Sequence, residues 1–154
     1  MHEADALHLL PLIGKLSLPP LVLAELRVHV PALWDKTLPD WLDPRTLPAA
    51  AEQRTLEWQR AGLLHGGEAQ ALALAQEIKP DWFLTDDAGA RLLAESLGME
   101  THGSLGVVLW AAATGLIARR EAEMLLRKLE KSSLWLSPRV RREARAALHR
   151  IVES

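Results

Sequence analysis

Hydrophobic positions in this chain fall into two kinds of run, short apolar stretches bounded by Pro, Gly or acids, and longer stretches with helical spacing. Residues 4–13 (ADALHLLPLI) read as a helix end interrupted by Pro11 and broken by Gly14. Residues 15–18 (KLSL) alternate and predict a short strand. Pro20 can open the helix predicted over 21–28, where its missing N–H costs nothing. Pro31 and Pro39 bracket a turn-rich connection, and 41–47 (WLDPRTL) predicts an extended edge segment, because Pro44 is unsuited to a central strand. Strong helix formers fill 49–61. Residues 68–78 are almost all apolar, which predicts a deeply buried helix ended by Pro80. Residues 81–85 (DWFLT) predict a strand covered on both faces. A helix from Asp87 to Leu97 follows, with Gly98 at its C-terminus. The remaining elements are a strand at 99–102, a helix capped by Ser104 and stopped by Gly115, and an amphipathic helix at 119–131. An extended piece at 134–136 precedes a last helix begun by Ser137-Pro138 and running to about Val152. Short buried strands alternating with helices predict an α/β fold with a parallel sheet.

In such a sheet ligands sit beyond the carboxyl ends of strands, and Thr85-Asp86-Asp87 stands at one. Asp86 and Asp87, joined by Glu68 from the preceding helix and by Glu25 from an earlier one, can offer hard oxygen ligands to Mg²⁺ or Mn²⁺. Two such ions could support phosphodiester hydrolysis. Each acid also has a plainer role: Asp86 or Asp87 as a helix N-cap, Glu68 as a first-turn acid favoured by the helix dipole, Glu25 on a solvated face.

Composition narrows this picture. The 154 residues, 49% hydrophobic and 25% charged, describe one ordinary globular domain. The absence of cysteine excludes disulfides, thiolate zinc and a Cys nucleophile, and suits a reducing cytoplasm. The N-terminus does not resemble a secretory signal, and no apolar run is long enough for a membrane span. The net charge of −2 hides an asymmetry: residues 119–150 hold ten Lys/Arg against Glu121, Glu123, Glu130 and Glu143, a balance of +6. That stretch can neutralise phosphates, dock an acidic protein segment, or simply be solvated. Trp58, Trp82 and Trp110 sit in apolar contexts and predict core positions. Trp34 and Trp41 stack on bases, bind a partner or cover a core edge. The six histidines show no metal-ligand spacing, although His102, in a loop near the acids, is within reach of a substrate role. There is no GxSxG elbow, P-loop or GxGxxG, and Gly66-Gly67 reads only as the start of a helix. Lys79-Pro80 precedes the acid pair, which is the wrong order for a response-regulator receiver.

Five segments in order, LSLPPLVLAEL, GGEAQALALA, WFLTDDAGARLLAESLG, THGSLGVVLWAAATGLI and LWLSPRVRREA, span nearly the whole chain. In them the chain resembles the PIN-domain family, and within it the small PIN-like proteins once described as a domain of unknown function and related to VapC-type toxins. The resemblance implies a three-layer αβα fold, Mg²⁺ or Mn²⁺ as cofactor, and endoribonuclease activity on single-stranded RNA, as the toxin of a toxin–antitoxin pair. It also implies an antitoxin partner and a homodimer. Glu25, Glu68 and Asp87 fall on family acids, Asp86 is the adjacent acid, and Ser104 falls on the family's small hydroxyl residue near the metal. In the family, a central strand ending in an Asp, in a pattern like DTSPL, precedes the first helix. Here MHEADALHLL already matches that helix, and Glu3 and Asp5 fall at helical positions. The expectation is a single PIN-like domain over 1–154 without its first strand, through a late start at Met1 or truncation. Weak metal binding, impaired catalysis and exposed strand edges that a partner can fill would follow. A second reading therefore stands beside the nuclease: a nucleic-acid or protein binding module that does not cut.

Overall fold

The computed structural model describes residues 1–31 and 37–152 and forms two compact units. Trp34 lies outside the described residues.

One unit comprises Lys15–Thr101. Strand β1 (Leu16–Leu18) pairs in parallel with β2 (Leu42–Pro44), matching Leu16 with Leu42 and Leu18 with Pro44. This sheet has two strands, so Pro44 sits at an edge, as its missing N–H requires. Between them α2 (Pro20–His29) begins with Pro20 in its first turn. Helices α3 (Ala49–Arg60) and α4 (Gly66–Ile78) pack together, and Arg54 of α3 is ion-paired with Glu77 of α4. The burial expected of α4 is present at Ala69 and from Leu72 to Ala75. The core joins Leu64, Leu72, Phe83, Ala90 and Ala94, with Trp58 half-buried against it. Lys79 ends α4 in the left-handed region (φ 48°) just before Pro80. Strand β3 is shorter than the apolar run suggests (Phe83–Leu84), and its Phe83 N–H donates to the Glu100 carbonyl at 2.8 Å. It pairs with β4 (Thr101–His102) in a second two-stranded sheet. Helix α5 (Ala88–Ser96) ends before Gly98, whose positive φ of 79° suits glycine at that position.

The other unit comprises Met1–Gly14 and His102–Ser154. Its N-terminal part is two 3-10 turns (His2–Ala4 and Leu7–Leu9) followed by α1 (Leu10–Ile13). Pro11 therefore sits in the first turn of α1 and does not interrupt a longer helix. Helix α6 (Ser104–Ala113) is capped by extended Gly103, with Ser104 as its first helical residue; this corrects the expectation that Ser104 is the cap. Helix α7 (Arg119–Lys131) has the predicted bounds and buries Ala122, Leu125, Leu126 and Leu129, one stripe at helical spacing. Helix α8 (Pro138–Val152) opens as expected, with the Val140 N–H donating to Ser137 Oγ at 3.2 Å. The N-terminal turns are tied to α7 by Lys128 Nζ donating to Asp5 Oδ2 (2.7 Å) and by His8 Nε2 meeting Glu121 Oε1 (3.0 Å).

Candidate active site

The first turn of α4 organises the acids of the Lys15–Thr101 unit. His65 precedes it in extended conformation and makes no side-chain cap, so the leading N–H groups have no partner from that residue. The two glycines that follow have no side chains where neighbouring helices come close. A Cβ on Gly66 would meet Leu21 Cδ1 and Gln59 Nε2, each at 3.1 Å. A Cβ on Gly67 would meet the Glu25 carboxylate, at 2.9 Å from Oε1 and 3.2 Å from Oε2. The pair is thus more than a helix start: it is the surface onto which α2 lays Glu25. Gln70 completes this fit, its Oε1 accepting the Leu21 N–H at 2.9 Å and satisfying one of the open donors of α2. Glu25 is exposed and Glu68 half-buried, the next residue along from Gly67. Both stand at the positive end of α4, where a carboxylate is favoured.

Asp87 is the N-cap of α5. Its Oδ1 accepts the Ala90 N–H at 2.7 Å, and its own N–H donates to Thr85 Oγ1 at 3.1 Å. Arg91 closes the turn by donating to the Thr85 carbonyl at 3.2 Å. Asp86, beside it, is exposed. A Cβ on Gly89 would lie 3.4 Å from the Leu63 carbonyl, so the start of α5 packs on the loop that leads into α4. Ser104 belongs to the other unit and is buried there. His102 belongs to that unit too, with its Nδ1 3.4 Å from where Gly106 would carry a Cβ.

The plainer role expected for Asp87 is therefore present, and one carboxylate oxygen is committed to it. Among the described residues no three Asp, Glu or His side chains gather closely enough to share one ion. Mg²⁺ needs fewer: it is commonly held by one or two carboxylates with water completing the shell. An all-oxygen set, with Glu25 lodged where Gly67 has no side chain, suits that kind of ion in donor chemistry. Sequence reasoning had marked the acids but missed Gly67 and Gln70. The adjacent glycines directly before Glu68 were the available signal.

Replacing Asp87 with Ala is expected to cost about 1 kcal/mol through the lost cap. Asp87→Ser should keep most of that stability while removing the carboxylate. Urea unfolding of the two variants checks this, and equal destabilisation would count against the cap.

Helices with short two-stranded sheets, and acids at a strand end and a helix start, make this a mixed α/β protein with the features of a nuclease-like fold. A family model described as a PIN domain matches residues 1–150, and the chain belongs to that family. No curated protein and no solved structure matches it.

Proposed function

We propose that this PIN-domain protein is a metal-dependent endoribonuclease acting on single-stranded RNA, with Glu25 and Glu68 as the residues that hold Mg²⁺ or Mn²⁺. The observation that carries the proposal is the seating of the Glu25 carboxylate on Gly67, the residue before Glu68, in a chain of this family. When bound, the metal supplies an activated water and charge stabilisation for the departing oxygen. Asp87, through the oxygen not used in capping, and the neighbouring Asp86 complete the acidic surface in this reading. Ser104 is included on the family resemblance alone. That resemblance also supplies the toxin role, the antitoxin partner and a second copy of the chain, while the cytoplasmic setting rests on the absence of cysteine. No described helix is long and apolar enough to cross a membrane.

One observation favours the second reading, binding without cutting: no three acidic or histidine side chains converge among the described residues. The two readings separate in a single assay. End-labelled single-stranded RNA is incubated with the purified chain in Mn²⁺ and in EDTA, beside Glu68→Gln, and Mn²⁺ binding is followed independently by paramagnetic resonance. Cleavage and Mn²⁺ binding that both require Glu68 are expected. RNA retained but not cut, with Mn²⁺ uptake unchanged by the substitution, would leave only the binding module.

A further inference from the structure

The loop between α7 and α8 is fastened at nearly every residue except one. Ser132 Oγ donates to the Leu129 carbonyl at 2.8 Å and accepts the Leu134 N–H at 3.2 Å. Ser133 is held twice by Glu3, its N–H donating to Oε2 at 2.6 Å and its Oγ to Oε1 at 2.8 Å. Leu136 is buried, its carbonyl accepts Arg141 Nε at 3.0 Å, and Ser137 caps α8. In the middle stands Trp135, 84% exposed, the most open of the large hydrophobic residues among those described. Its indole has no partner among the described residues. An indole in water forgoes the stabilisation that burying a large apolar side chain provides. Here the hydrogen bonds on either side hold the loop that carries it, so little backbone ordering is needed when something stacks on the ring.

The charge around this ring selects the partner. Lys131 ends α7, four residues before Trp135, and Arg141 and Arg142 lie in the opening turns of α8. Two other arginines of α8 are already matched, Arg139 with Glu143 and Arg145 with Glu130. Lys131 and Arg142 are exposed and have no ion pair among the described residues. An open aromatic face with unmatched cations four residues before it and seven after it in the chain fits a flexible polyanion that offers both flat rings and phosphates. Duplexes hide the faces of their bases, and an acidic peptide offers charge without regularly spaced rings.

We infer that Trp135, with Lys131, Arg141 and Arg142, forms a stacking platform for single-stranded nucleic acid that uses none of the carboxylates Glu25, Glu68, Asp86 and Asp87. Binding there does not depend on whether those carboxylates cut.

The test is fluorescence anisotropy of a labelled oligouridylate with the full chain in EDTA at low salt, titrated against Trp135→Ala, Trp135→Phe and Arg142→Ala. Loss of one stacked base should weaken binding roughly 5- to 150-fold in Trp135→Ala, while Trp135→Phe keeps most of the affinity. Arg142→Ala should flatten the dependence of log affinity on log salt by about one. Thermal melts of the variants should match the parent, since the ring is not part of the core. Equal affinity of parent and Trp135→Ala would overturn the inference, as would no binding by the parent. So would displacement of the oligonucleotide by polyglutamate at equal charge, which would make the face a docking site for acidic protein. Because the titration is made in EDTA, it does not depend on cutting: failed cleavage in Mn²⁺ with retained, Trp135-dependent binding would reject the nuclease and leave this platform standing.

Discussion

Gly67→Ala is expected to leave the protein at least as stable as the parent and to lower RNA cleavage on the order of 100-fold. The three atoms nearest an added Cβ all belong to the Glu25 carboxylate, the closest at 2.9 Å. Real contacts of that kind do not persist, so the carboxylate must move. It is the far end of an exposed, flexible side chain, and moving it costs little. Alanine in place of glycine favours the helix by up to about 1 kcal/mol, less in a first turn. Stability therefore holds or rises. Activity falls if the carboxylate positions a metal, because a misplacement near 1 Å can cost about 100-fold in rate. Most substitutions that impair an enzyme through its fold lower both quantities, and this one should separate them. Thermal midpoint and cleavage rate measured on the same preparation decide it. Glu25→Gln should lose activity to a similar degree, and the double variant little more than either single one, since both act through one carboxylate. Unchanged cleavage in Gly67→Ala would show that the seat of Glu25 is a packing detail.

Leu129→Ala should produce the largest loss of stability. Leu129 is fully buried at the end of the α7 stripe, in the unit where α7 packs on α6 and α8. Removing its side chain forfeits transfer free energy and leaves a void that close-packed neighbours fill only in part, a cost of about 2–5 kcal/mol. For a protein of this size, 3 kcal/mol corresponds to a thermal midpoint lower by about 6–12 °C. Met124, 42% exposed on the same helix, provides the control. Met124→Ala should stay within roughly 0.5 kcal/mol of the parent. Guanidinium unfolding of both variants checks the contrast, and similar midpoints would mean that the α7 stripe is not the core it resembles.

Helix α7 was legible to the residue because its buried positions repeat at helical spacing and, Met124 apart, charged residues fill the rest. The starts of α2 and α8 were legible because proline has few places in a helix and both used one of them. The start of α6 was misread since glycine and serine both serve as caps, and only the extended backbone of Gly103 shows which one does. Strand β3 came out shorter than its apolar run, because paired length depends on what the partner strand offers. At the site, the carboxylates were visible as residues and their relations were not. Nothing in the text of the chain says that Asp87 spends an oxygen on Ala90. Nor does it say that Glu25 rests on a glycine far along the sequence. Trp135 was overlooked among six tryptophans, since exposure depends on the hydrogen bonds that hold its loop.

Helix α2 has ten residues and none of them is buried; Val28, three-quarters exposed, is its extreme. Segments with few buried contacts open locally at a small fraction of the global unfolding free energy. When α2 frays from its seat on α4, Glu25 departs with it, while Glu68 stays on a helix whose core-facing residues are fully enclosed. The two carboxylates assigned to one ion thus belong to segments of unequal permanence. Any ligand that engages both binds only the population in which α2 is seated, and its apparent affinity is set by how often that helix is in place.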